Sequence, residues 1–152
     1  MLAHTHLIIA LAVGTYLREY LHSTFLGGIF FYYIILLVAA VLPDIDHTGS
    51  MINKAFTITN IIPWFFKHRG LFHSIWPLLI GSMTLSFVHP LISTAFFIGY
   101  GSHLVSDSFT KAGVNWLYPG KFKIQGPLKT GGIGEGIIFF VFIAVVIAQF
   151  FS

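Results

Sequence analysis

Cysteine is missing altogether from these 152 residues, so the chain makes neither disulfides nor a thiolate metal site. Charge is scarce as well: 9% of the residues are charged, five acidic against eight Lys and Arg, for a formal net charge of +3. So little charge excludes an ordinary soluble surface. A nucleic-acid binder would show a basic face, or basic and aromatic residues interleaved, so no nucleic acid is expected as a partner. The opening segment lacks the basic n-region of a secretory signal and carries His4 and His6 at its start, and is expected to be a retained helix. No internal repeat is visible, which argues against the paired interrupted helices of a secondary transporter.

Apolar residues are what the chain has in abundance, 56% of the total, with a mean hydropathy of +0.85. Several runs approach the roughly 20 residues needed to cross about 30 Å of hydrocarbon. In lipid, only helices satisfy the backbone within one segment. The expected fold is all-α: a polytopic transmembrane helical bundle forming one domain over residues 1–152. Its five spans run from about Leu2 to Leu21, Phe25 to Leu42, Leu71 to Val88, Leu91 to Ser108 and Ile133 to Phe151. Pro43 disfavours helix just before it and ends the second span. Between spans two and three, Met51 to Phe66 mixes Asn53, Lys54, Thr57, Thr59 and Asn60 with Ile, Phe and Trp64, which suits an interfacial or re-entrant helix.

Five spans put the N-terminus, the long second connection and the loop before the last span on one side. Lys54, Lys67, Arg69, Lys111, Lys121, Lys123 and Lys129 fall there, against Arg18 opposite, so that side is expected to be cytoplasmic. The same sorting brings His4, His6, Asp44, Asp46, His47, His68, His73, His103, Asp107 and Glu135 to one end, leaving Glu19, His22 and His89 at the other. Scattered structural histidines would divide between the two ends.

His103 and Asp107, four positions apart, lie one above the other on a helix. A buried hydrogen-bonded pair is the plainer account of them, but ionisable groups inside a span are costly and point to function. Asp44 and Asp46 after Pro43 read either as a capped turn or, beside His47, as ligands. His68 and His73 are five apart, poor spacing for one helical face, so His68 reads as a loop residue and His73 as the start of the third helix. Glu135 in a first turn also suits the helix dipole. Imidazole with carboxylate is a donor set for zinc, manganese or iron rather than calcium or magnesium. The histidines and carboxylates outnumber what one ion needs, and a metal pair suits in-line displacement at phosphorus. Arg69 and Lys111 would hold phosphate oxygens nearby.

Taken together, Thr5-His6-Leu7, Leu42-Pro43-Asp44-Ile45-Asp46-His47, His68-Arg69-Gly70 with His73-Ser74, Ser102-His103 through Asp107, Thr110 to Gly113-Val114, and Leu117-Tyr118-Pro119 resemble the YdjM-like family of predicted membrane-bound metal-dependent hydrolases. They follow that family's order over most of the chain. Glu135 matches more loosely, and Lys67 stands where a small residue is expected. The family is in turn similar to zinc-dependent phospholipase C and single-strand nuclease proteins, helical proteins whose metal cluster includes a His-x-x-x-Asp helix. The resemblance implies metal roles for His6, Asp44 or Asp46, His73, His103 and Asp107, and names no substrate.

The resulting expectation is an integral membrane hydrolase of the inner or plasma membrane, with a divalent, zinc-type and binuclear site at the cytoplasmic interface. A metal-activated water would cleave a phosphoester of a lipid or phosphorylated amphiphile, with Asp44 or Asp46 as base or bridging ligand and Arg69 and Lys111 on the phosphate. Trp64, Trp116 and Tyr118 would anchor the surrounding loops in the interface. The competing expectations are a non-enzymatic metal-binding or metal-transporting membrane protein, and a structural protein whose polar cluster only holds helices together.

Overall fold

The computed structural model describes residues 1–18, 21, 28–47, 49–50, 53–54 and 69–151. Among these run five α-helices: α1 (Ala3–Arg18), α2 (Gly28–Val41), α3 (Ile75–Ser86), α4 (Pro90–Ser108) and α5 (Ile133–Phe151). Short 3-10 helices follow α2 (Leu42–Asp46) and precede α3 (Leu71–His73). In the loop between α4 and α5, strands β1 (Val114–Asn115) and β2 (Lys123–Ile124) pair antiparallel, Val114 opposite Ile124.

Local chemistry sets the helix ends that matter. Pro43 has no N–H to give the ladder of α2, and the chain tightens there into a 3-10 turn that presents Asp44 and Asp46. At the opposite end of the bundle, His89 caps α4: its Nδ1 accepts from the N–H of Leu91 at 3.1 Å, and Pro90 follows in the first turn. Ser93 Oγ donates to the carbonyl of Ser82 at 2.7 Å and ties the α3–α4 hairpin.

α4 is the central helix, packed by α1, α2 and α3, and α5 joins the bundle through α1. Backbones approach closely where small residues allow it. A Cβ on Gly99 would stand 2.2 Å from the carbonyl oxygen of Leu36, so α2 and α4 cross in near contact there. Tyr32, Leu36, Leu91, Ala95 and Ile98 fill one core cluster, and Ala39, Leu78, Tyr100, Leu104 and Val114 a second, nearer the ligand-bearing end. The outer faces are apolar and bare: Ile80 and Met83 on α3, Phe140 and Phe150 on α5 are all exposed. A surface of that kind suits hydrocarbon rather than water.

Among the described residues, two continuous helical stretches are long and apolar enough to cross a bilayer, Gly28–Asp46 and Ile133–Phe151, each of 19 residues; Ile75–Ser86 is apolar but shorter. The expected five spans therefore appear as five helices, of which two meet that measure. α1 stops at 16 residues, and α4, though 19 residues long, dilutes its apolar run with the polar stretch from His103 to Ser108. Most of the expected interfacial helix lies outside the described residues, as do Glu19, His22, Trp64, Lys67 and His68.

The helices alternate in direction, so α1, α3 and α5 begin where α2 and α4 end. Contacts between distant parts of the chain fix this: Glu135 Oε1 accepts from the N–H of Leu2 at 2.6 Å, and His6 bonds Ser106 at 2.8 Å. The α4–α5 loop folds back over the same end. Ile75 N–H donates to the carbonyl of Trp116 at 2.9 Å, and Trp116 Nε1 donates to Ser108 Oγ at 2.9 Å.

Candidate metal centre

Each of the first four helices or its flanking turn delivers a ligand-type side chain to this end. α1 brings His6; the 3-10 turn after α2 brings Asp44 and Asp46; the 3-10 turn before α3 brings His73; and the last turns of α4 bring His103 and Asp107. All three histidines are fully buried.

Hydrogen bonds orient the three rings alike. His103 Nδ1 lies 2.7 Å from the carbonyl oxygen of Ala40, which only accepts, so this nitrogen carries the proton. His73 Nδ1 faces Asp46 Oδ2 at 3.2 Å and donates for the same reason. Ser106 Oγ spends its own proton on the carbonyl of His103, so His6 Nδ1 donates to that oxygen. Three outward Nδ1–H groups leave three Nε2 atoms turned inward, the arrangement by which a carbonyl or carboxylate fixes the tautomer of a metal-binding histidine.

The inward atoms crowd together. His73 Nε2 is 3.4 Å from His103 Nε2 and 3.5 Å from Asp44 Oδ1, and His103 Nε2 is 3.7 Å from the same oxygen. Asp107 Oδ2 lies 4.0 Å from His73 Nε2, and Asp107 Oδ1 3.3 Å from His6 Nε2. His6 stacks on His103 with ring centroids 3.7 Å apart, and its Nε2 is buried without a hydrogen bond. Two groups, His6 with Asp44 and His103, and His73 with His103 and Asp107, each place their ligand atoms within 4.8 Å of one another and are able to hold a metal ion. The fit is good: two nitrogens each about 2.0–2.1 Å from a tetrahedral ion stand roughly 3.3 Å apart. Buried lone pairs facing each other and two carboxylates need a cation or a proton between them.

Arg69 closes the rim. Its φ of 61° is the left-handed region that a residue with a side chain seldom adopts. That backbone turns both of its polar ends inward: the N–H donates to Asp46 Oδ2 at 3.0 Å, and Nη1 donates to the carbonyl of Gly113 at 2.7 Å. Nη2 stands 2.8 Å from Asp107 Oδ2 as an ion pair without a directed hydrogen bond, which leaves that oxygen's lone pairs available. The amino group of Met1 also pairs with Asp107 Oδ1.

Other expected site residues stand apart. His47 is exposed and its Nδ1 accepts from the N–H of Gly49 at 3.3 Å, outside the cluster. Lys111 is exposed on the following loop. Glu135 is buried one layer out, its carboxylate accepting from Leu2 and Gly131 backbone N–H groups rather than facing the imidazoles. His68 lies outside the described residues. Sequence reasoning passed over Ser106 and the carbonyl of Ala40, which set the rings of His6 and His103. It passed over Asn53 too, whose Nδ2 donates to the carbonyls of Ile45 and His47 and braces the aspartate turn. Ser106 had a signal, lying between His103 and Asp107 on the same helix, whereas a backbone carbonyl has none.

A mainly helical architecture with apolar outer faces and a buried histidine–aspartate cluster at one end defines an integral membrane protein whose cluster has the donor set for a metal ion. More particularly, the chain belongs to the YdjM inner membrane protein family, whose sequence model matches residues 1–151. It is 36% identical to the uncharacterized protein YvsG of Bacillus subtilis over 106 residues, 66% of either chain. It is 26% identical to the inner membrane protein YdjM of Escherichia coli over 155 aligned positions, 95% of this chain and 79% of that one, and equally to YdjM of Shigella flexneri. No solved structure matches the chain.

Proposed function

We propose that the chain is a metal-dependent hydrolase that cleaves a phosphoester of a membrane lipid or phosphorylated amphiphile. The observation that carries this reading is the convergence of three Nε2 lone pairs and two carboxylates, buried beneath an arginine. A divalent ion bound there, most naturally zinc given nitrogen and oxygen donors without thiolate, supplies Lewis acidity and makes a nearby water acidic. Manganese and iron(II) take the same donors. Both candidate ligand groups require His103 Nε2, whose ring is fixed by Ala40, so this side-chain arrangement supports one ion at a time rather than a pair.

The residues divide the remaining work. Asp44, 18% exposed, is the cluster carboxylate nearest solvent and is suited to accept a proton from the attacking water. Asp46 is fully buried against His73 and positions that ring. Arg69, 21% exposed beside Asp107, is suited to bind phosphate oxygens, two at once where geometry allows. Exposed Lys111 serves only the general attraction of anionic headgroups.

All five helices are read as crossing the bilayer, the shorter ones completed by their flanking turns. The ligand-bearing end is read as cytoplasmic. Lys54, Arg69, Lys111, Lys121, Lys123 and Lys129 lie toward that end, and Arg18 closes α1 at the other, which supports this orientation.

Elemental analysis of purified protein, followed by phosphate release from phosphatidic acid and lipid pyrophosphates, tests the reading. About one ion per chain and metal-dependent phosphate release are expected. Metal-free protein would overturn it. Bound metal with ion flux in proteoliposomes and no hydrolysis would establish the binding or transport alternative.

A further inference from the structure

An apolar cavity of about 700 Å³ lies along α4 from Phe97 to Ser106 and reaches Phe109 just past the end of that helix. Its other walls come from α1 (Val13), α3 (Leu79) and α5 (Phe142). That volume falls within the roughly 300–1,000 Å³ typical of small-molecule sites. Nine residue steps of helix, Phe97 to Ser106, give a length of about 14 Å, comparable to one leaflet of a hydrocarbon core about 30 Å thick. Its polar edges are Ser102 and Ser106, whose hydroxyls are already committed to the carbonyls of Gly99 and His103. Nothing in the walls asks for a polar guest.

The cavity adjoins the histidine cluster through two shared neighbours, although no cluster side chain lines it. Ser106 lines it and also accepts from His6 Nδ1, and Met1, whose amine pairs with Asp107, lines it too. One end therefore lies a single residue layer from the cluster, and the other descends to the depth of the apolar helices.

We infer that this groove holds the hydrocarbon chain of the lipid whose phosphoester reaches the cluster, so the substrate class is a long-chain phospholipid rather than a soluble phosphate ester. This rests on the hydrolase reading for the headgroup, but the groove is testable without it. Gly101 offers the means: a Cβ there meets nothing within 4 Å, so a large side chain enters the groove without displacing backbone.

The full-length protein is reconstituted in phosphatidylcholine vesicles containing phosphatidic acid with a diazirine on its acyl chain. After photolysis, labelled residues are mapped by mass spectrometry. Label is expected on Phe97, Val105 and Leu79, with at least a fivefold loss in Gly101→Phe and unchanged metal content. Val105→Trp, which narrows the groove from an already exposed position, should give a similar loss if Gly101→Phe fails to fold. Gly136→Phe on the outer face of α5, where a Cβ also meets nothing, should leave labelling unchanged. Label spread evenly over Phe140 and Phe150, or indifferent to both groove variants, would overturn the inference. Groove labelling without phosphate release sinks the hydrolase reading and leaves the groove standing. Phosphate release that proceeds equally in Gly101→Phe does the reverse.

Discussion

α4 and α5 are both 19 residues long, yet α4 buries ten residues in the bundle while α5 buries Glu135 alone. The more apolar helix is the more exposed one. In a bilayer, lipid tails satisfy Phe and Ile as well as a protein core does, so hydrophobicity gives α5 no reason to pack inward. α4 is drawn to the centre by what makes it less apolar: Gly99 admits the backbone of α2, and Ser106, His103 and Asp107 find partners only among other helices. Polarity here marks the interior, the reverse of a water-soluble fold.

Several measurements sharpen or break this contrast. His103→Ala is expected to cut bound metal from about one ion per chain to under a tenth of that, because both ligand groups use this ring; elemental analysis reads the result. Asp46→Asn keeps the shape but weakens the acceptor that orients His73, and metal affinity in a chelator competition should fall about 10–100-fold. Gly99→Leu forces a side chain against the Leu36 carbonyl and should cost about 1–3 kcal/mol or more in detergent unfolding. Phe150→Ala on α5 should change stability by under about 0.5 kcal/mol. If Phe150→Ala matched Gly99→Leu, the division between a packed helix and a lipid-facing one would fail.

Much of this was legible in the sequence because membrane topology is a coarse constraint. Five apolar runs and their alternation were enough to send His6, Asp44, His73, His103 and Asp107 to one end, and helical spacing put His103 over Asp107. The division of labour between Asp44 and Asp46 was not legible. It depends on a 3-10 turn, in which positions two apart point differently, so one carboxylate faces the Nε2 atoms and the other reaches the far side of His73. His47 looked like a ligand by adjacency, but the turn carries it to the exposed side. Glu135 looked like one by topology, yet the unpaired N–H groups at a helix start claimed its oxygens first. Arg69 was placed correctly near the site, but its left-handed backbone, which aims two donors at two aspartates, has no sequence signal beyond the glycine that follows it.

The hydrogen bond from His6 to Ser106 joins residues 100 positions apart. During synthesis, the first histidine of the cluster to emerge must wait while α2, α3 and α4 are made and inserted before its ring acquires this partner. The last ligand, Asp107, arrives with the end of α4, so a complete donor set precedes α5. An ion bound there as proposed would report that four helices have found their places, and the fifth closes over an already assembled cluster by taking hold of Leu2 through Glu135.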